Sequence, residues 1–475
     1  MIASFLCFLL GFTLIGLSSV WKSRGTRHDY YLASRAVQPW LVGLSAVATN
    51  NSGYMFIGVI GYTYVTGLAS IWLMFGWIAG DFLASLFIHS RLRIATSKSD
   101  EVSYAGALSN WHGDNNKVLQ RVIGSISLIF LLVYASAQLI AGSKALHVLF
   151  DWPAWAGAVM SALLVALYCF AGGIRASIWT DAAQSIVMML AMGLLLVVAT
   201  QNLGGIHHAL LKMQTIDGFL DWFPKDLLLP GLAGGLLFSI GWMFAGLSVI
   251  GQPHIMVRFM TLENAGKMQQ ARYWYYLWFL IFYSLATGVG LLSRIYLSDS
   301  VAFDTELALP LMAQQLLSPM LVGLVLAGIF AATMSTADSL ILSCSASVTH
   351  DLLPHKIEKT SLIKLITLII TLCALILALM NSQSVFNLVI MAWSGLASAF
   401  APLLIVLCLG GKPSQKLSIL AVFIGFFVAL IWRFMGWHHA IYEGMAGILS
   451  GLFLFSSPLL FQTKARVNGR TKEYR

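Results

Sequence analysis

The 475-residue chain predicts an all-α, polytopic membrane fold with about thirteen crossing helices, ten of them forming a five-plus-five inverted repeat. Composition, run length and helix interruption carry that expectation. Hydrophobic residues make up 59% of the chain and charged residues 10%, with mean hydropathy +0.82, a balance that excludes a water-soluble globular domain. Apolar runs near the roughly 20 residues that span a bilayer core recur along the chain and leave no room for a soluble domain. Two of these runs, in matching places, are cut by poor helix formers, as expected of broken helices in two related halves.

The first run, 2–20, has no basic segment before it and is followed by WKSRGTR. That order of charge is opposite to a cleavable signal peptide, so the segment is expected to remain as an anchor crossing from outside to inside. The second run, 38–61, holds TNNSG at its centre. Runs 68–90, 122–148 and 153–171 follow, and 181–201 comes directly after GGIRASIWT, so that Asp181 stands at its cytoplasmic edge. Run 228–250 is crowded with Gly234, Gly235, Gly241 and Gly246, with Gly251 and Pro253 just beyond. The eighth, 273–293, is headed by RYWYYLWFLIFY, read as an interfacial aromatic belt. The ninth, 319–348, carries LAGIFAATMSTADSLILSCSAS, and 362–380, 385–409, 416–436 and 441–462 complete the set.

Thirteen crossings put the termini on opposite sides. With the N-terminus outside, only Lys144, Lys212, Lys225, Arg294 and Arg433 of the 28 basic residues fall on the outer side, together with Asp299, Asp304 and Glu306. Arg175 and Arg258 are counted with the cytoplasmic loops and adjoining span ends. The positive-inside rule supports this direction. The expected organisation is an N-terminal helix and cytoplasmic loop (1–37), a first five-helix repeat (38–201), an extracellular loop (202–227), a second, inverted repeat (228–409), and two C-terminal helices with a basic cytoplasmic tail (410–475). The expected location is the inner (plasma) membrane, multi-pass, with the C-terminus cytoplasmic.

Other function classes find little support. Cys7, Cys169, Cys344, Cys373 and Cys408 fall singly in apolar runs without metal-type spacing and read as small core hydrophobes. The net charge of +9 is scattered among loops rather than gathered on a nucleic-acid-binding face. His207-His208, His350-Asp351 and His438-His439 lie at span ends or in loops, and no nucleophile–base grouping or phosphate loop accompanies them. An enzyme is not expected. The sequon Asn50-Asn51-Ser52 lies inside a span and is inaccessible to glycosylation.

Unpaired backbone groups in hydrocarbon cost several kcal/mol, so a break at TNNSG survives only where it lines a cavity or is covered by protein. At such a break, carbonyls of one half-helix and amides of the next point into one small space with opposite partial charge. Ser335 and Ser339 share a helix face and Thr336 flanks it; with carbonyls near Ala48 and Asn51, these hydroxyls form an oxygen set suited to a small hard cation. Three acids lie in or beside spans, Asp81, Asp181 and Asp338, and intramembrane acids are functional by default. Asp181 and Asp338 are expected to serve an ion or a proton. Asp81 reads more readily as a structural carboxylate.

Four stretches, SAVATNNSGY, GGIRASIWTDAAQ, GQPHIMVRFM and AATMSTADS, resemble the sodium/solute symporter family, and the likeness covers nearly the whole chain. The resemblance implies a LeuT-type fold and sodium-coupled uptake of a small organic solute by alternating access. It further implies a sodium site from carbonyls of Ala48, Asn51 and Ala332 with hydroxyls of Ser335 and Thr336, and a second ion or proton site at Asp181, Ser339 and Asp338. The implied substrate site is lined by Asn50, Ser52, Gly53, Tyr54, Tyr134, Gln138, Trp242, Ala245, Val249 and Pro253. Na+ is the only metal expected, as coupling ion; no other cofactor, no nucleic acid and no obligate protein partner is expected beside substrate, sodium and membrane lipids.

Departures from the family widen the substrate class. Some members have aspartate where Asn50 stands, whereas sugar-transporting members also have asparagine. Ala245 and Val249 replace aromatic residues, and Tyr54 replaces a tryptophan. The expectation is an amino acid or other small carboxylate, with proline one candidate. Alternatives are a proton-coupled symporter working through Asp181 or Asp338, and a solute sensor on a transporter body, for which the tail 463–475 is too short to hold a kinase domain.

Overall fold

The computed structural model describes residues 1–297, 303–355, 357–380 and 384–456. Among them the only β pairing is an isolated bridge between Val37 and Leu262. The chain begins with α1 (Ile2–Ser18) and a short helix α2 (Arg27–Leu32), whose first turn is capped by the Thr26 side chain accepting from Asp29 N. Helix α3 (Pro39–Asn50) starts on a proline, whose missing N–H costs nothing at that position. A turn of π-helix, Met55–Val59, leads into α4 (Ile60–Thr66), followed by α5 (Ile71–Ser99) and α6 (Tyr104–Ser109).

Helices α7 (Lys117–Phe150), α8 (Ala154–Gly172) and α9 (Ile174–Asn202) complete the first part, and α10 (Ile206–Gln214) lies in the loop after them. Then come α11 (Gly231–Leu247), α12 (Pro253–Met260), α13 (Met268–Tyr296), α14 (Ala308–Leu316) and α15 (Pro319–Ala346). The remaining helices are α16 (Thr360–Met380), α17 (Val385–Cys408), α18 (Gln415–Phe434) and α19 (Glu443–Ser456).

Both expected interruptions are present. At the first, Asn51 leaves helical geometry with φ −89° and ψ 47°. Its backbone N–H and its side-chain amide both donate to Val47 O, each at 2.9 Å, which closes the last turn of α3. At the second, α11 tightens into a 3-10 turn over Ser248–Gly251 and Gln252 is extended, φ −97° and ψ 101°. Pro253 lacks the N–H that would continue the ladder and opens α12 instead.

Eleven helical stretches among the described residues are long and apolar enough to cross a membrane, short of the thirteen expected. The shortfall has two physical sources. Run 38–61 is two short pieces rather than one rod, and the described part of run 441–462 is the 14-residue α19, the rest lying outside the described residues with the basic tail. Helix α9 begins at Ile174, seven residues ahead of the expected 181, so Asp181 sits two turns inside it.

The centre of the bundle is occupied by α15 and α17, almost wholly enclosed, while α1 and α18 show most of their surface outward. Close approach is built with glycine. A Cβ on Gly80 would lie 1.9 Å from Met243 O, and one on Gly246 would lie 2.0 Å from Trp77 O. The backbones of α5 and α11 therefore touch, the small-residue packing that membrane helices use in place of a hydrophobic drive.

Candidate ion and substrate site

The last turn of α3 and the middle of α15 meet directly. Ser335 Oγ donates to Ala48 O at 3.3 Å and contacts Ala332 O at 3.1 Å; Thr336 Oγ1 reaches Thr49 O at 2.9 Å and Ala332 O at 3.3 Å. All five residues are buried. Five oxygens, three carbonyls and two hydroxyls, thus converge from a broken helix and a continuous one. They are hard, neutral donors of the type a small monovalent cation takes. Four of the five expected residues, Ala48, Ala332, Ser335 and Thr336, are together. Asn51 lies in the same turn, but its described bonds run back to Val47, and the carbonyl that α15 engages beside that of Ala48 is that of Thr49, which the sequence did not single out.

One turn along α15, Ser339 meets a buried charge cluster. Ser45 Oγ donates to Asp181 Oδ2 at 2.6 Å; Ser177 Oγ and Ser339 Oγ donate to Asp338 Oδ1, both at 2.9 Å. Between the two acids lies Arg258, which donates to Ser177 and Ser339 and stands 3.4 Å from Asp181 and 3.6 Å from Asp338. Arg258 is fully buried near the end of α12, so this charge, counted with the cytoplasmic loops and adjoining span ends, is engaged inside the bundle rather than in water. Arg175, counted likewise, pairs with Asp29 at 2.6 Å. Asp181 Oδ1, Asp338 Oδ2, and Arg258 Nε and Nη1 have no hydrogen-bond partner. Asp181, Ser339 and Asp338 are therefore brought together as expected, but around a guanidinium. The available signal was a basic residue five positions after a helix-opening proline, inside GQPHIMVRFM.

Past the break, Ser52, Gly53, Tyr54, Tyr134 and Gln138 form one group. Tyr134 Oη donates to Ser52 Oγ at 3.2 Å, and Gly53 N–H donates to Gln138 Oε1 at 2.9 Å. The Gln138 amide nitrogen and the Tyr54 hydroxyl are buried without partners. A Cβ on Gly53 would lie 2.6 Å from Thr333, so α15 comes close only because that residue has no side chain. Pro253 begins α12, whose His254 stands edge-on to Tyr134 with ring centroids 5.4 Å apart.

Ala245 and Val249 are fully buried, and the aromatic surface they do not provide comes from other helices. Trp393 Nε1 donates to Ala245 O at 2.9 Å, Trp77 lies 5.2 Å from Trp393, and Phe386 stacks on Tyr54 at 5.2 Å. None of these three was expected from the sequence. Trp242 joins this group only through Tyr62 and Phe386. It packs edge-on to Tyr62 and lines a cavity of about 170 Å³ with Phe386, Arg433 and Glu443. Asn50 ends α3 and bonds to Tyr275 Oη at 2.6 Å, away from Ser52.

A family model described as "Sodium:solute symporter family" matches residues 30–433. The chain belongs to the sodium:solute symporter family. It is therefore a multi-pass membrane transporter with Na+ as coupling ion, not an enzyme. It is 28% identical over 472 residues to the sodium/proline symporter of Escherichia coli (strain K12), covering 95% of this chain and 91% of that one. To the sodium/proline symporter of Staphylococcus aureus (strain NCTC 8325 / PS 47) it is 29% identical over 436 residues, covering 88% and 83%.

Its fold matches a Na+-coupled sialic acid symporter solved in a substrate-bound outward-open state, with TM-score 0.81, 18% identity, and 96% and 97% of the chains covered. A nucleobase-cation-symport-1 family transporter in a closed conformation follows, with TM-score 0.57, 14% identity, and 92% and 95% covered. These likenesses support the LeuT-type arrangement of broken and continuous helices expected from the sequence.

Proposed function

We propose that this chain takes up an amino acid or another small carboxylate, with proline the first candidate, by alternating access of two five-helix halves, 38–201 and 228–409. The observation that carries this reading is the bonding of Ser335 and Thr336 to the carbonyls of Ala48 and Thr49 at the first break. Sodium replaces those hydroxyl–carbonyl bonds with ion–oxygen contacts and so ties α3 to α15. The substrate lies beyond the break, against Ser52, Gly53, Tyr54, Tyr134 and Gln138, where the partnerless Gln138 amide and Tyr54 hydroxyl are available to it. Leaving such groups unsatisfied costs about 1–3 kcal/mol each, which a polar ligand recovers. The relatives named as sodium/proline symporters support proline, and the rings of Trp77, Phe386 and Trp393 supply apolar wall for its ring.

Coupling requires that sodium bind one conformation better than the other. One cation crossing about 150 mV supplies roughly 3.5 kcal/mol, or a few hundredfold accumulation. The chain is oriented with its N-terminus outside in the plasma membrane, in line with its basic loops. Uptake of radiolabelled proline into proteoliposomes, with sodium and pH gradients imposed separately, tests the reading. Uptake that follows sodium supports it; uptake that ignores sodium and follows pH replaces it with proton coupling through the Asp181–Asp338 cluster.

A further inference from the structure

Asp81 has no part in the site described so far. It sits on α5, fully buried, and its partners are all donors on other helices. Tyr275 Oη donates to Asp81 Oδ2 at 2.7 Å and Tyr276 Oη donates to Oδ1 at 3.0 Å. Asn50 Nδ2 donates to Tyr275 Oη at 2.6 Å and stands 3.5 Å from Asp81 Oδ2. The direction of this chain is fixed by its first link. Because the Tyr275 oxygen accepts from Asn50, its own proton points at Asp81, so phenol protons meet the carboxyl group on both oxygens. Among the described residues no Lys, Arg or His forms an ion pair with it. A buried carboxylate inside a span without a countercharge is costly, and such residues mark ion pathways or pair with a cation that visits.

The visiting cation is identified by where the chain of hydrogen bonds ends. Asn50 is the last residue of α3, adjacent to Thr49 and two residues from Ala48, whose carbonyls meet Thr336 and Ser335. Asn50 itself is neutral, and its Oδ1 is buried with no partner. The oxygens of the cage are neutral too. We propose that Asp81 sets the charge of the first helix break, as a positioning residue that acts on the sodium site through Tyr275 and Asn50. The field of its carboxylate, in a medium where charges are poorly screened, favours a cation at the end of α3. It also ties ion binding to α5 and α13, two helices that contribute no ligand.

The inference rests on the sodium-symport reading, and one experiment separates their failures. The purified full chain in detergent is titrated with sodium chloride at constant ionic strength against choline chloride, and half-saturating sodium is read from the rise in unfolding temperature. Asp81→Asn raises half-saturating sodium by about tenfold. Moving the charge to the other end of the chain, as Asp81→Asn with Asn50→Asp, restores it to within about twofold, a rescue that a merely structural role does not give.

Tyr275→Phe keeps the charge and cuts the link; it raises half-saturating sodium by about threefold and serves if Asp81→Asn does not fold. An Asp81→Asn chain that saturates like wild type, a double variant no better than Asp81→Asn, or an unaltered Tyr275→Phe overturns the inference alone. A wild-type chain that gains nothing from sodium overturns the symport reading and this inference with it.

Discussion

Arg258 and Asp181 meet inside the bundle with guanidinium nitrogen 3.4 Å from carboxylate oxygen and no exposed surface on either side chain. Asp338 completes the cluster from the other side at 3.6 Å. Two acids share one base, and removing the base strands both. Breaking a buried pair by deleting one partner costs about 3–5 kcal/mol. Arg258→Ala is therefore expected to lower the unfolding temperature and folded yield sharply. Adding Asp338→Asn to that variant recovers part of the loss, because the two changes touch one network and do not add. Thermal unfolding of the wild type and the two purified variants checks this.

The Ser335 and Thr336 hydroxyls are the oxygens of the cage that substitution can remove. Ser335→Ala and Thr336→Ala are each expected to raise the sodium needed for half-maximal uptake by about tenfold, the factor equal to one lost ion–oxygen contact of about 1.4 kcal/mol. Ser343, on the same helix but not in the cage, serves as the control, and Ser343→Ala keeps wild-type dependence. Initial uptake rates over a sodium series decide the matter; unchanged dependence in the first two variants dismisses the site.

Glycines along α11 are expected to differ in tolerance. At Gly246 a Cβ meets the Trp77 carbonyl at 2.0 Å, a backbone atom that cannot step aside, whereas at Gly241 the nearest atom is 3.7 Å away. Gly246→Ala should destabilise by about 1–3 kcal/mol through overpacking. Gly241→Ala should be neutral or stabilising by up to about 1 kcal/mol from helix propensity. Unfolding temperatures of the two variants measured side by side test the contrast.

A pH effect is expected from the loop before the first break. Burial pushes the Asp29 carboxyl up, but the Arg24 N–H, the Ser34 hydroxyl and the Arg175 guanidinium outweigh burial and hold it below the usual carboxylate range. A depressed folded-state value means stability that is fully present above the unfolded value of about 3.9 and is lost as pH falls through the folded one. The unfolding temperatures of wild type and Asp29→Asn should therefore differ at about pH 6, with the difference starting to shrink only as pH falls below about 4.

Much of this fold is legible in the sequence because the bilayer imposes the pattern. Apolar runs long enough to cross gave the helices, and the cluster of poor helix formers in TNNSG and the proline at 253, which has no N–H to donate, mark the two breaks. Ser335, Thr336 and Ser339 were visible through their spacing on one helix. The sequence was silent where meaning depends on a partner from a distant helix. Thr49 gained its place from the register of α3 against α15, and Trp77, Phe386 and Trp393 from the packing of three helices around Ala245. Arg258 looked like loop charge because its two acids lie 77 and 80 positions away in the chain. Trp242, by contrast, stands nine residues before Gly251 and lines the cavity beside Tyr62 and Phe386 rather than the break itself.

The backbone contact made by Gly80 and Gly246 has a mechanical result. With no side chains between them to yield, α5 and α11 meet backbone to backbone, so a displacement of the second broken helix presses directly on the helix beside it. Asp81 is carried by that neighbouring helix, one turn or less from Gly80, so the carboxylate lies where such a push is felt first.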